Sequence, residues 1–480
     1  MSSKIRPVIT ALSVNYKGKR YSQEKLHHLV NRFTVKHWKR FPFHQEMKSM
    51  FDNFRVSSRT MHLDPGDLYL DQAGSSSSSS SSSNNNNLIK DHYTARVRNA
   101  NSSMILESSV ATILKARLKP SDIRAHVFHS TFSKINGVKN DDPLTHYHTD
   151  VNKQLGLGLD LDLDLNLSPN AGGANTFQSA NVEPAGCSGG IEVIKDGIEY
   201  LKSFTNTPTS SSLSSNNNNS KSKPPIVLIT NADLSSQLWG GGMNKNYRDL
   251  IIRASTIASD TNDGTSAGNY DVLMKEHLGK MKSNWMNLSA FGDGSASAII
   301  TTFDHFQRMN ALNTMNGGRQ PSLIGAEIIT SSSHLCKNSE GLVRLYNDEN
   351  GIHAIVSPKL SSAIKVEIKE VIDSFLTENN IRFDQINHWV IHPGGPKILT
   401  TIQQELKLPA SALKHSFDSL KQNGNVVGTS IFDVLDRTMT ARANKIKSGN
   451  LCMMIAMGPE APINPLGSKL KINILLLKFC

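Results

Sequence analysis

The sequence predicts an α/β protein whose sheet is mostly parallel and covered by helices. Two observations carry this. Short runs of β-branched and aliphatic residues alternate along the chain with longer stretches whose apolar residues recur at helical spacing. The strand-like runs are apolar throughout, as in strands covered on both faces. At 480 residues the chain is long enough for two or three average domains and a large buried core.

In chain order, residues 108–119 read as an amphipathic helix. Residues 191–204 read as another, with Ile191, Ile194, Ile198 and Leu201 on one face. PIVLIT (225–230) is a buried strand and residues 296–301 are similar. The second half offers a long helix at 361–376, a short strand at 388–391, a helix at 430–446 and a strand at 451–456. Between these lie segments that offer little to a core. Residues 75–83 are pure serine and 84–87 pure asparagine, and 205–223 is rich in Ser, Thr and Asn. Having almost no apolar surface to offset ordering entropy, they are expected as surface loops. Residues 155–167 alternate Leu with Gly, Asp or Asn, which fits either a strand or a repeat expanded within a loop. Residues 239–286 read as a further excursion. Loop closure grows costly only slowly with length, so one fold can carry all of these.

The balance of 52 basic and 41 acidic residues gives a net charge of +11. That suits an anionic partner, and equally suits scattered surface lysines that maintain solubility. With no dense Lys/Arg run and no nucleic-acid motif, no nucleic-acid partner is expected. The four cysteines, Cys187, Cys336, Cys452 and Cys480, form no CxxC pair and are too few for a disulfide framework. No segment is apolar enough to span a bilayer, no signal peptide is read at the start, and the terminal LKFC is not a prenylation box. A cytoplasmic protein is expected.

Three residues carry candidate chemistry. Cys187 lies in AGCSGG, where a strand gives way to the 191–204 helix. A thiolate there faces unpaired N–H groups and the positive end of the helix dipole, an arrangement expected to lower its pKa. A buried, inert cysteine is the alternative. His392, in IHPGGPKIL, follows a strand, and its C-terminal end is where α/β proteins place their sites. A hydrogen-bonded structural histidine fits that position too. Asn425, in NGNVVGTS, precedes the 430–446 helix and could serve simply as a turn residue or cap.

Taken together and in that order, the Cys turn, HPGG and the GN turn resemble the type III polyketide synthases, the chalcone synthase family. FGDGSASA (291–298), RTMHL (59–63), NSEG (338–341) and the GP of MGPE (Gly458, Pro459) resemble further family segments in the expected order. The resemblance implies a thiolase-like fold of two similar halves in α-β-α-β-α layers, with low-complexity loop insertions. Residues 1–310 would form the half carrying the nucleophile, with inserts near 74–87, 155–173, 205–223 and 239–286. Residues 311–480 would form the half carrying His392 and Asn425. It further implies a homodimer that takes acyl-CoA and malonyl-CoA as substrates, with no tightly bound cofactor and no metal. Cys187 would hold the acyl starter, and His392 and Asn425 would stabilise the enolate left by decarboxylation. Arg59 lies where the family keeps basic residues near the CoA tunnel.

Some positions depart from the family pattern. Ala354 falls where an aromatic residue usually stands at the mouth of the acyl cavity, and NADLSSQLW has no clear counterpart of a second such phenylalanine. The changes imply a reshaped cavity and a starter other than the usual aromatic CoA, with a fatty acyl-CoA as the candidate. The glycine expected after GP is Glu460, and the cysteine turn is one residue short. Two rival readings are a ketoacyl-synthase-III-like condensing enzyme using acyl-carrier protein, and a non-catalytic homologue that binds acyl-CoA. HYHTD, with His146, His148 and Asp150, is too weak a pattern for a metal site.

Overall fold

The computed structural model describes residues 5–65, 83–132, 147–157, 164–165, 177–206, 224–239, 248–249, 251–256, 267–315, 323–348, 351–441, 446–461, 463–464 and 467–480. The strands are β1 (Pro7–Asn15), β2 (Lys19–Ser22), β3 (Ser58–Met61), β4 (Ala125–His129), β5 (Asp164–Leu165), β6 (Gln178–Val182) and β7 (Ile226–Asp233). They continue as β8 (Gly294–Thr302), β9 (Ala326–Leu335), β10 (Val343–Asp348), β11 (Gly351–Val356), β12 (Ile386–Ile391), β13 (Leu451–Pro459) and β14 (Leu470–Phe479). Among the described residues, ten of them form one sheet in the order β12-β13-β14-β9-β1-β8-β7-β4-β6-β5.

The sheet is mixed, not mostly parallel. β4 pairs in parallel with β6 and β7, β5 with β6, and β12 with β13. The middle of the sheet, β13-β14-β9-β1-β8-β7, is antiparallel throughout. The link from β13 to β14 is too short for the crossover that a parallel neighbour demands. The apolar runs nonetheless indicated covered strands: every residue of β7 is buried.

The burial pattern gives five layers. The Gly189–Asn206 and Thr429–Thr440 helices share one apolar cluster with β4, β7 and β8 on one side and with β13 and β14 on the other. The Ser83–Ala116 helix covers the opposite face of the first group of strands, through Ile105 and Ile113 against Phe128, Leu228 and Ile299. The Leu360–Glu378 and Pro396–Glu405 helices cover the opposite face of the second group, against Met453, Ile455 and Ile474. The two groups meet where β1 and β9 pair at Val8↔Glu327 and Ile9↔Ala326, and Arg6 clamps Glu327 there with bonds of 2.5 and 2.8 Å. This is the α-β-α-β-α arrangement of two halves.

Several expectations need correction. The helix expected at 108–119 is the end of a 34-residue helix, Ser83–Ala116. Ser83 and the Asn84–Asn87 tract are helical because extending a helix already anchored by packing costs little. Residues 75–82 and 207–223 lie outside the described residues, as does most of 155–173, of which 164–165 form the edge strand β5. Within the expected 239–286 excursion lies the helix Ala267–Ala290, which buries Met281, Trp285 and Leu288 in a second core. The helix expected to run to 446 ends at Thr440. The division expected at 310/311 falls inside the helix Phe303–Met315, which continues directly from β8.

Candidate active site

After β6 the chain makes a single 3-10 turn, Gly186–Ser188, and passes straight into the Gly189–Asn206 helix. Gly186 has φ +54°, a conformation that glycine adopts without strain. Ser188 holds the turn closed, with its N–H and hydroxyl both donating to the Ala185 carbonyl at 3.2 and 2.8 Å. The end of β13 presses against it from the other half of the molecule. A Cβ on Gly458 would lie 2.6 Å from the Ala185 carbonyl oxygen and 2.7 Å from the Ser188 nitrogen. Cys187 is thereby presented at the helix start, half-buried and free of any disulfide.

His392 follows β12. Its N–H donates to Ile455 of β13 at 2.9 Å, which extends the parallel pairing to the site itself. The side chain is 1% exposed, and neither ring nitrogen has a protein partner among the described residues. Such an orphan buried imidazole calls for an explanation.

Asn425 is set by a turn between the Lys414–Asn423 and Thr429–Thr440 helices. Its backbone exchanges hydrogen bonds with the FGDG segment: Asn425 N–H to Ala290 O at 2.8 Å and Gly292 N–H to Asn425 O at 3.1 Å. Asp293 anchors that segment by accepting from the N–H groups of His62 and Ser236 and from the Ser236 hydroxyl. The Asn425 side chain is oriented as well. Oδ1 accepts from Val427 N–H at 2.9 Å, which leaves Nδ2 to face Gly394 O at 3.3 Å and the Cys187 sulfur at 3.7 Å.

All three side chains line one cavity of about 270 Å³. Its walls are mainly apolar, among them Phe132, Met286, Ala354, Val356, Leu360 and Ile364. Ala354 therefore does line the cavity, as its position in the sequence suggested. Exposed Lys397 is the formally charged side chain among the described lining residues.

The protonation states differ from expectation. Burial pushes the Cys187 thiol up to about 12, outweighing the opposing hydrogen bond from Asn425. Burial also pulls His392 down to about 3. The expected lowering of the Cys187 pKa at the helix start is thus overturned by desolvation, and burial favours a neutral thiol and a neutral imidazole in the same cavity.

Arg59 is not at the cavity. It is fully buried, donates to the Leu288 carbonyl, and packs against Gly292 and Gly424. Burial lowers its pKa to about 9, opposed by Asp293. It braces the FGDG segment from beneath and offers no surface to CoA. Of the HYHTD residues, His146 is outside the described residues and Asp150 pairs with Arg98. His334, Cys336 and Glu367 bring three donor atoms within 4.8 Å. Glu367 is already committed there, hydrogen-bonded to His334 Nε2 at 2.6 Å and to Lys337 N–H at 2.7 Å, so the group reads as a closed hydrogen-bonded cluster beside a buried thiol.

Sequence reasoning missed the polar residues at the ends of β4 and β7, namely His129, Thr131, Asn231 and Asp233, all fully buried close to the Cys187 turn. The available signal was a cluster of polar side chains at the C-terminal ends of two apolar, parallel strands.

Residues 327–466 match the family model for the C-terminal domain of chalcone and stilbene synthases. Among curated relatives, Polyketide synthase 37 of Dictyostelium discoideum is 29% identical over 39% of this chain and 6% of its own length. The alpha-pyrone synthesis polyketide synthase-like Pks18 of Mycobacterium tuberculosis is 30% identical over 36% of this chain and 41% of its own length. The matches thus span less than half the length of these relatives. A fungal type III polyketide synthase, ORAS, superposes with a TM-score of 0.64 over 98% of this chain and 99% of its own, at 15% identity. PKS-I from the brown alga Ectocarpus siliculosus superposes at 0.63 over the whole of both chains, also at 15% identity. At that identity the two structures establish the fold.

Proposed function

We propose, from the premise that this chain has the type III polyketide synthase fold and carries the chalcone and stilbene synthase C-terminal domain, that it condenses malonyl-CoA with an acyl starter held on Cys187. The observation that carries this reading is the convergence on one apolar cavity of a thiol, an orphan imidazole and an oriented carboxamide N–H, drawn from three distant parts of the sequence.

In the first step the Cys187 sulfur attacks the carbonyl carbon of an acyl-CoA. His392 takes the thiol proton and passes it to the departing CoA sulfur, which leaves as the free thiol and gives an acyl-enzyme. Malonyl-CoA then loses carbon dioxide. The electron pair of the broken C–C bond becomes an enolate, whose oxygen accepts hydrogen bonds from Asn425 Nδ2–H and a neutral His392 N–H. One such donor is typically worth about 3 kcal/mol or more when aimed at developing charge. The enolate carbon attacks the Cys187 thioester, and the extended chain leaves the sulfur as a CoA ester. This reading calls on no bound metal or resident cofactor. The family resemblance supplies the homodimer as part of this proposal.

The cavity's apolar walls and the small Ala354 support a fatty acyl-CoA starter in preference to an aromatic one. The decisive assay incubates the protein with radiolabelled malonyl-CoA and a panel of starters. Extension of long-chain acyl-CoA by the wild type, and none by Cys187→Ala, is expected. Exclusive use of coumaroyl-CoA would overturn the starter assignment, and extension by Cys187→Ala would overturn the nucleophile.

A further inference from the structure

We infer that His129 is a positioning residue that holds the nucleophile turn in register with the Asn425 loop, through a hydrogen-bond chain unused in the mechanism above. The imidazole lies beneath the turn and is fully buried. Its Nε2 accepts the backbone N–H of Ala185 at 3.2 Å, two residues before Cys187. An acceptor at Nε2 requires the proton on Nδ1, and that nitrogen donates to Asn231 Oδ1 at 2.7 Å. Burial lowers the pKa of His129, which favours this neutral form. With its oxygen so engaged, Asn231 turns its Nδ2 to Asp233 Oδ2 at 2.7 Å and to Thr429 Oγ1 at 2.9 Å. Asp233 in turn accepts the Thr131 N–H at 3.0 Å.

The chain therefore has a direction and two ends. One end is the turn that carries Cys187. The other is Thr429, four residues after Asn425 and the first residue of the helix that follows it. Steric fit reinforces the link. A Cβ on Gly189 would come within 2.0 Å of the His129 ring, and one on Gly428 within 2.5 Å of Asn231 Oδ1. The backbone has been brought down onto these two side chains at both ends, with glycine at each contact. A shift of the imidazole would move the sulfur relative to the carboxamide, and displacements of about 1 Å at a reacting centre can cost a hundredfold in rate.

This inference rests on Cys187 being the acylated residue, so its test separates the two. His129→Gln can place an amide oxygen near the position of Nε2 and keep the Ala185 contact. His129→Asn reaches only the Nδ1 position, keeping Asn231 and losing Ala185. The readouts are deuterium exchange of the peptide covering 183–190 and the rate of acyl adduct formation on Cys187 by mass spectrometry. His129→Asn is expected to speed exchange at Ala185 and to slow acylation at least tenfold at saturating acyl-CoA, with KM unchanged. His129→Gln is expected to stay within about threefold of wild type on both. Wild-type exchange and acylation in His129→Asn, or equal losses in both variants, would overturn the inference. If wild-type Cys187 forms no acyl adduct, the functional reading fails, while the exchange contrast still decides the contact.

Discussion

At the scale of single residues, burial sets the chemistry. Burial in the same apolar cavity favours the neutral forms of Cys187 and His392, so the sulfur rests as a thiol. Alkylation of Cys187 by iodoacetamide should therefore rise continuously with pH from 6 to 9, because the thiolate fraction keeps growing below a pKa of about 12. A plateau beginning near pH 6 would reveal a preformed thiolate–imidazolium pair. Arg59 makes the opposite point, since a cation proposed for a ligand serves the core. Arg59→Met should cost about 1.5–3 kcal/mol, seen as a lower urea midpoint, because the buried Leu288 carbonyl loses its charged donor. The KM for acyl-CoA should stay unchanged, and a rise of several-fold would restore Arg59 to the CoA site. From the sequence, Cys187, His392 and Asn425 could be singled out as a set only through the family resemblance, since each alone also fitted a structural role. Their protonation was not legible, because it depends on walls contributed by segments far away in the chain.

At the scale of elements, the site is made by ends rather than by middles. Cys187 and His392 occupy strand-to-helix turns, and Asn425 a turn between two helices. Each turn is braced by a strand or loop from another part of the chain. One such contact is Gly458 against the Ala185–Ser188 turn, where any Cβ collides with backbone that has no rotamer to yield. Gly458→Ala should lower kcat/KM at least tenfold and destabilise the fold by about 1–3 kcal/mol through overpacking. Unchanged kinetics with an unchanged thermal midpoint would show that the turn is looser than its contacts imply. Strand and helix positions were readable from periodicity for the Gly189–Asn206 and Leu360–Glu378 helices. Strand direction was not. An apolar run such as Leu451–Pro459 looks the same whether its neighbour is the parallel β12 or the antiparallel β14. The Ala267–Ala290 helix escaped notice because its apolar residues are spread around its circumference.

At the scale of the whole molecule, two covered groups of strands share a central pair of helices and join at β1 and β9. The Ser/Thr/Asn-rich segment 207–223 leaves from the end of one central helix and returns just before β7. Replacing it with a Gly/Ser linker of half its length should change stability by only about 0.6 kcal/mol, the loop-closure difference for a twofold change in length. A fall of several kcal/mol in the denaturant midpoint would show that the segment contributes packing. The layered architecture was accessible only through the family resemblance, because nothing local in β1 or β9 announces that the two strands will meet.

The placement of Gly458 and Pro459 over the Cys187 turn also bears on how the chain is born. Cys187 is translated well before Gly458 and Pro459, which press on its turn. Until β13 docks, the turn lacks the Gly458 and Pro459 contacts that press on it, and the His392 backbone N–H lacks the Ile455 carbonyl. A nascent chain that stops short of β13 therefore carries this thiol without the wall that buries it.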